Sequence, residues 1–557
     1  MRILPFGATA LLAEVPTLGD VLALHAALAA SRPDGVVDLV PAARTVLVRV
    51  DPEVCALAAA KAWIERAEGA DAAATATESR AIDIDVAYDG ADLADTAALL
   101  GLSADELVAR HTSAAWRVAF TGFAPGFGYL VSDDWPFDVP RLASPRTRVP
   151  AGSVGVAGEF SGAYPRDTPG GWRLLGTTAA RLFDPDADAP ALLTPGDAVR
   201  FRAVRSVSAG VSASAVPPAS AEAAASALPP ASAETGDLAG TGGAAQDSPV
   251  PGGADAADAA DAGPRDTAAA GIRVVEAGLL ATLQDLGRPG AASIGVAASG
   301  ALDRASLRLA NRLVGNPESA ACIEVTMGGL RAVATADAWA AVTGAWGPVT
   351  LAGRPVDPGR AFRWGAGEEL WIGWFAQGAR AYLAVRGGWD GPVVLGSRAT
   401  DLMAGLGPRP LAAGSEVAFA HVPAQTPPAA DIAPWTPPDA EIVVELAPGP
   451  RSGWFTPDAR HVLYDAVWTV SGQADRVGIR LDGPELERIR DGEVPSEGMV
   501  PGALQVPPSG RPTVLMADGP VTGGYPVIAV ATDAGIDAFG QARPGTRVRF
   551  RHARVPA

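Results

Sequence analysis

The sequence predicts an α+β chain that is mainly β, with a small ferredoxin-like α/β domain first and β-rich barrel domains after it. Three observations carry this. Segments of helical and strand periodicity alternate over residues 1–87 in the order βαββαβ. From Trp116 onward, short apolar runs are punctuated by a large share of the 64 glycines and 49 prolines, the pattern of strands joined by turns. Residues 206–270 interrupt both patterns and divide the chain into two folded halves.

In the first domain, PFGATALLAEV reads as a strand. LGDVLALHAALAAS reads as a helix, with Leu18, Val21, Leu22, His25 and Leu28 on one stripe, where His25 is a packing residue. VVDLV and RTVLVRV follow as strands, PEVCALAAAKAWIERA as a helix, and AIDIDVAY as an alternating strand that closes the domain at residue 87. Residues 88–205 form the next domain. Ser103 with Glu106 makes a capping box that opens the helix SADELVARH, ending at His111. The runs WRVAFTGF, GSVGVAGEF, WRLLGTT and AVRFRAV then read as strands of a barrel or sandwich.

Residues 206–270 contain no aromatic residue and one basic residue, Arg265, so they cannot bury enough apolar surface to offset ordering entropy and are expected to be a flexible linker. The second half, 271–557, resumes with GIRVVEAGLLATLQDLG as strand and turn. DRASLRLANRLVGNP is an amphipathic helix stopped by Gly315, Asn316 and Pro317, and the remainder is β-rich, enough for two barrel halves.

Composition removes whole classes of function. A net charge of −18 argues against nucleic acid as a partner. No apolar stretch reaches membrane-spanning length. Residues 1–15 contain Pro5, Gly7 and Glu14 and no small-x-small cleavage site, so a first strand and a cytoplasmic protein are expected. Cys55 and Cys322 are expected to be two separate buried thiols. Lys61 is the one lysine, and it lies in the helical segment AAAKAWIERA. A P-loop, a biotin carrier and an amidase-signature site each need a lysine in a different setting, so none of the three is present.

The first motif is His111 followed by TGFAPGFGYL, where Gly122, Phe123, Pro125, Gly126 and Phe127 form a loop whose backbone N–H groups can approach a ligand. The bland alternative is a loop that only turns a corner. Arg146 and Arg148 alternate on a strand and so point the same way, suited to a carboxylate or phosphate at ~1.5–3 kcal/mol per desolvated charged hydrogen bond. They could equally mark a solvated edge. His111 is a base candidate or simply caps its helix end, and Asp303 is an acidic candidate or favours the first turn of its helix. Arg476 pairs with Asp475 or Asp482 in the bland reading. Thr522, Gly523, Gly524 and Tyr525 form an anion-cradling turn or a plain tight one.

GFAPGFGYL, PRTRVPAGSVGVAG, the Tyr164 and Pro165 pair and TPGGW together resemble the B subunit of 5-oxoprolinase, also called allophanate hydrolase subunit 1. TLQDLGRPG (282–290), GVAASGALDRASLRLANRLVGN (295–316), ADRVGIRL (474–481), GALQVPPSG (502–510) and TGGYP (522–526) resemble the C subunit of that enzyme, or allophanate hydrolase subunit 2. The resemblance covers nearly everything outside the linker. It implies an N-terminal α/β domain with cyclophilin-like β-barrels, and an ATP-dependent cyclic amide hydrolase that opens 5-oxoproline to glutamate with a separate 5-oxoprolinase A subunit. ATP and Mg²⁺ are the implied cofactors, and a homo-oligomer is compatible with it.

Under that resemblance His111, Asp303 and Asp475 are the catalytic candidates, the two aspartates as Mg²⁺ ligands or proton-steering groups. The substrate-binding candidates are Gly122, Phe123, Pro125, Gly126, Phe127, Arg146, Arg148, Gly152, Ser153, Gly170, Gly171 and Trp172 in the first half. In the second half they are Ser299, Gly300, Arg476, Gln505, Thr522, Gly523, Gly524 and Tyr525. Glu159, Thr168, Val477 and the Gly519-Pro520-Val521 run depart from the family's usual residues, and where the last of these touches ligand it bears on substrate choice. Two alternatives come with the same family. One is the carboxyltransferase module of a biotin-dependent urea carboxylase or amidolyase, the other a non-catalytic regulator of a sensor histidine kinase. Prolyl isomerisation does not follow from a cyclophilin-like fold alone.

Overall fold

The computed structural model describes residues 1–68, 80–207, 270–428, 436, 438–490 and 492–554. The linker expected at 206–270 therefore lies almost wholly outside the described residues. The described chain is mainly β, with seven α-helices set against four bodies of sheet. No described helix is long and apolar enough to cross a membrane.

The N-terminal sheet has four antiparallel strands in the order Arg2–Phe6, Ala10–Glu14, Thr45–Val50, Val36–Pro41. The segment expected as one strand is a hairpin, because Gly7 at φ +71° turns the chain and pairs Phe6 with Ala10. Helices α1 (Leu18–Ala30) and α2 (Leu57–Ala67) cover one face through Val21, Leu24, Leu28, Trp63 and Ile64. Thr17 and Asp20 form a reciprocal capping box at the start of α1. His25 on α1 is half-buried, and burial lowers its pKa to about 4. Lys61 pairs with Glu65 one turn on.

The segment AIDIDVAY does not complete this sheet. Its strand, Ala81–Val86, pairs in parallel with Ala198–Ala203 and sends Ile82, Ile84 and Val86 into the next core. The first domain thus ends before residue 81, not at 87. The first barrel runs in the order Arg173–Thr177, Ser153–Ala157, Phe160–Ala163, Gly128–Val131, Trp116–Thr121, Ala198–Ala203, Ala81–Val86. Ala87 and Thr177 exchange backbone hydrogen bonds of 2.9 and 2.8 Å, joining the two edge strands. Helices α3 (Leu93–Leu99) and α4 (Ala104–Ser113) pack beside it, α4 opened by the expected box of Ser103 and Glu106. A two-stranded ribbon, Arg146–Val149 with Thr168–Gly170, stands outside the barrel.

The second half contains a sandwich and a closed barrel. Sheets of six and five strands enclose one core that includes Ile272, Leu283, Ile323, Trp364 and Leu383, and α5 (Arg304–Leu313) packs behind it on Tyr382 and Ala384. The closed barrel orders Glu441–Pro448, Val527–Ala531, Ala503–Gln505, Thr513–Leu515, Gly478–Asp482, Trp468–Ala474 and Arg547–His552, with α6 (Pro457–Asp465) and α7 (Asp533–Gly540).

The first and last barrels follow one plan. Each opens with a strand that lies parallel to its last strand, and the last strands share PGDAVRFR (195–202) and PGTRVRFR (544–551). In each, a buried tryptophan indole donates to the carbonyl five residues earlier, Trp116 to His111 at 2.8 Å and Trp468 to Leu463 at 3.0 Å. Each has an outlying ribbon, which in the last barrel is Glu497–Gly498 with Thr522–Gly523.

The two halves share a core. Leu4, Phe6, Leu12, Val40 and Leu47 on the second face of the N-terminal sheet pack against Met499, Val500, Leu515, Val527 and Val530 of the last barrel. That sheet is buried on both faces, which is why ALLA is apolar throughout.

Candidate functional site

Loop 122–127 is the tip of the hairpin between Trp116–Thr121 and Gly128–Val131, and it touches the second half directly. The Thr121 hydroxyl donates to the Ser293 carbonyl, and Gly126 N–H to the Ile294 carbonyl at 3.1 Å. A Cβ on Gly122 would lie 2.1 Å from Thr522 Oγ1, and one on Gly295 would lie 2.5 Å from the Ala124 carbonyl. Close approach of the Thr522 side chain thus favours glycine at 122, and the Ala124 carbonyl together with a φ of +81° demands it at 295. The GFAPGFG signature of one half meets the GVAASG and TGGYP signatures of the other.

Behind the loop stands an aromatic wall. Phe127 lies edge-on to Tyr129, Tyr164 and Trp172 at 5.0, 5.2 and 5.3 Å, and Phe123 packs on Phe127 at 5.3 Å. Gly152 and Ser153 build the turn that holds Tyr164 through backbone bonds of 2.7 and 2.9 Å. Gly170 gives room to the Tyr164 hydroxyl, against which a Cβ would stand at 2.6 Å. Burial raises the Tyr129 phenol to about 12 and raises Tyr164 as well, and Arg141 opposes both shifts. Burial also raises Tyr525 across the junction, where Glu493 adds to the shift and Arg141 and Arg488 oppose it. Arg141 is exposed, forms no ion pair among the described residues, and acts electrostatically on tyrosines of both halves. Sequence reasoning passed over it, although it begins the segment RLASPRTRVPAGS that carries the signature.

Arg146 and Arg148 are already occupied. Arg146 holds Asp92 at 2.6 Å, and Arg148 holds Asp167 at 2.6 Å with most of its side chain in solvent. Gly171 and Trp172 lie on the wall beside Arg141 and Pro145. Opposite them, Gly523 pairs with Glu497 and packs on Met499 and Gln505, while Gly524 abuts Val494 and Glu493.

His111 is not a base at this junction. It is fully buried inside the first barrel, with Nδ1 bonded to the Tyr88 hydroxyl at 2.7 Å and Nε2 to Ser161 Oγ at 2.8 Å. Phe201 stacks on it at 4.5 Å, and burial lowers its pKa to about 3. It does not cap its helix by its side chain either.

Ser299, Gly300 and Arg476 belong to a separate, closed cluster. Arg476 pairs not with Asp475 or Asp482 but bidentately with Asp518, at 2.9 and 3.0 Å, and with Glu324 at 2.7 Å; it also donates to the Gly300 carbonyl. Ser299, at φ +54°, donates to Asp518 at 2.6 Å, and Tyr382 donates to Glu324 at 2.8 Å. The cluster joins the sandwich to the last barrel. Nearby, burial and Asp518 raise Asp401 to about 7, with Arg288 4.0 Å away.

Asp303 caps α5, taking Ser306 N–H at 2.9 Å, Ser306 Oγ at 2.6 Å and Gln541 at 2.7 Å. Asp475 Oδ1 takes the N–H groups of Val477 and Gly478. Both carboxylates are spent on protein donors, and no group of three or more His, Cys, Asp or Glu among the described residues could hold a metal. Mg²⁺ does not fit Asp303 or Asp475.

Two β-barrels bearing α/β and sandwich partners, docked through their signature loops, define a carboxyltransferase-type pair. Residues 1–193 match the family described as carboxyltransferase domain, subdomain C and D, and residues 294–552 match carboxyltransferase domain, subdomain A and B. The 5-oxoprolinase C subunit of Escherichia coli K12 is 36% identical over 286 residues, which is 50% of this chain and 90% of that protein. The 5-oxoprolinase B subunit of E. coli O157:H7 is 48% identical over 163 residues, 28% of this chain and 72% of that one. Lachancea kluyveri urea amidolyase is 32% identical over 308 residues, 50% of this chain but 17% of that protein. The crystal structure of TTHA0988 superposes with a TM-score of 0.77 at 33% identity, covering 97% of this chain and 99% of the other. The chain belongs to the carboxyltransferase-domain family that includes the B and C subunits of 5-oxoprolinase, with a B-type half and a C-type half fused in one polypeptide.

Proposed function

We propose that this chain is the fused B and C component of an ATP-dependent 5-oxoprolinase, acting with a separate A component and binding its lactam where loop 122–127, the aromatic wall and 522–525 meet. The observation that carries this is the meeting of both halves' signatures around Arg141, a guanidinium with no carboxylate of its own. A lactam acid offers a carboxylate for Arg141 and a flat ring for the aromatic wall. The chain covers most of the B and C subunits but a small share of urea amidolyase, which favours the same reading.

A lactam carbonyl is a poor electrophile. Attack of the lactam oxygen on the γ-phosphorus of ATP, with ADP leaving, gives an imidate-like phosphate ester. Water then adds to its carbon, the C–N bond breaks as the nitrogen takes a proton, and a second water hydrolyses the resulting acyl phosphate to glutamate and inorganic phosphate. Mg²⁺ would arrive on the phosphate oxygens of ATP and needs no protein cage.

The test mixes the purified chain with a homologue of the 5-oxoprolinase A component, 5-oxoproline, Mg²⁺ and ATP, and follows glutamate and ADP. Arg141→Gln is expected to raise the KM for 5-oxoproline roughly tenfold or more, the loss of one charged hydrogen-bonding partner. Absence of 5-oxoproline-dependent ADP under every pairing would sink the proposal. A second reading, a carboxyltransferase, is favoured by the description of the family itself. It predicts carboxylation dependent on bicarbonate and a biotinylated protein in trans, since Lys61 sits in α2 paired with Glu65.

A further inference from the structure

A cavity of about 370 Å³ lies where the first hairpin meets turn 448–454 of the last barrel. Both halves line it. Arg2 and Glu14 come from the hairpin, and Arg451, Trp454, Arg460 and Arg490 from the barrel. Four guanidiniums against one carboxylate is an unusual concentration in a chain of net charge −18.

The four are not equivalent. Arg451 is held by Glu497 and by Glu14 at 2.8 Å, and Arg2 approaches Glu14 at 3.9 Å. Arg460 and Arg490 form no ion pair among the described residues, and both are exposed to the cavity's solvent. The Arg490 guanidinium sits over the Trp454 ring at 5.5 Å. The matching turn of the first barrel has the opposite sign, because Asp92 stands where Arg451 does and carries Arg146. The basic lining is therefore a property of this barrel and not of the shared plan.

Two guanidiniums with no ion pair among the described residues, one of them over an indole, suit a phosphate chain attached to a flat ring. The forked donors match phosphate oxygens, and the indole offers a stacking face once Arg490 turns from it to the phosphates. In the junction between the halves, by contrast, Arg146 and Arg148 are already paired, and Arg141 and Arg488 stand about Tyr525 with the Glu493 carboxylate beside it. We propose that this cavity is the binding site for a nucleoside polyphosphate, held at its phosphates by Arg460 and Arg490 and at its base by Trp454. The identity of that nucleotide as ATP rests on the 5-oxoprolinase reading; the site itself does not.

The test is calorimetric titration of the full chain with ATP, ADP and inorganic pyrophosphate, at low and high salt. One site per chain is expected, weakened by salt. Arg460→Gln with Arg490→Gln should weaken ATP and pyrophosphate alike by roughly tenfold or more, the loss of two charged partners. Trp454→Leu should weaken ATP several-fold and leave pyrophosphate unchanged. Replacing both arginines by lysine should restore most of the binding, and an unchanged melting temperature shows that the variants fold. Unaltered ATP affinity in the double glutamine variant, or no binding by the parent chain, overturns the proposal. An unaltered response to Trp454→Leu overturns the nucleotide assignment in favour of a free phosphate. Turnover of 5-oxoproline with ATP and undiminished nucleotide affinity in the double variant would remove this site and keep the proposed reaction. Loss of pyrophosphate binding, with no pairing turning over 5-oxoproline, would do the reverse.

Discussion

In the first barrel, the turn after the opening strand carries Asp92, which holds Arg146 of the outlying ribbon; in the last barrel the same turn carries Arg451, which holds Glu497. The backbone around these pairs is alike. Gly90 donates to the Leu175 carbonyl and Gly449 to the Ile528 carbonyl, and a Cβ on either would strike the neighbouring strand at 2.4 or 2.6 Å. Further along, His111 occupies the place of Leu463, and the longer loop 122–127 occupies the place of the short turn that bears Arg476. The scaffold is set by close-packed glycines, a parallel pair of terminal strands and an indole bond. The side chains placed on it decide whether a hairpin tip becomes a junction wall or an ionic joint.

The comparison can be broken most forcefully at the joint. Arg476→Met strands Asp518 and Glu324 as buried charges, and should cost ~3–5 kcal/mol in denaturant unfolding. A loss below ~1 kcal/mol would mean that the cluster is not the joint described. Asp92→Arg, which sets two guanidiniums together and leaves Leu174 N–H unpaired, should cost ~3 kcal/mol, and adding Arg146→Glu should recover at least ~1 kcal/mol in a double-mutant cycle. No recovery would show that the two barrels do not tolerate the same exchange of sign.

His111→Leu copies the last barrel. It leaves the Tyr88 and Ser161 hydroxyls short of a partner, at ~1–3 kcal/mol near neutral pH. It should also change the acid response. With the folded pKa near 3 and the ordinary value 6.5, the unfolded chain takes up a proton that the folded chain refuses. That difference lowers stability by roughly 1.4 kcal/mol per pH unit as pH falls between the two values. The variant should show a shallower acid slope than its parent, and an identical slope would contradict the assignment. The smallest effect expected is at Gly122. Its replacement by Ala wedges against Thr522, and should weaken association of the halves by ~1 kcal/mol once the chain is cut at a protease site placed within 208–269. Thr522→Gly should restore it.

Local signals in the sequence were reliable where the structure is local. The capping box of Ser103 and Glu106 and the stop at Gly315 mark what they were expected to mark. What escaped was set by distant partners. The strand Ala81–Val86 alternates cleanly but finds its parallel neighbour more than a hundred residues on, which no periodicity reveals. Arg476 sits next to Asp475 in sequence, yet its partners are 42 and 152 residues away. His111 looked available because its helix end is polar, while Ser161, 50 residues further, closes its second nitrogen. The spacing of Arg146 and Arg148 was legible, but not that Asp92 and Asp167 already take their charge.

The N-terminal sheet, covered by helices on one side and by the last barrel on the other, has a consequence for dosage. A first half made without its companion would present Leu4, Phe6, Leu12, Val40 and Leu47 to water, an invitation to self-association. Encoding both halves in one polypeptide fixes their ratio at one to one and keeps the covering surface tethered within reach at every moment after synthesis. The joint between them can then hold grooves and charged residues that two free proteins, obliged to find each other from dilute solution, would have to replace with a larger apolar contact.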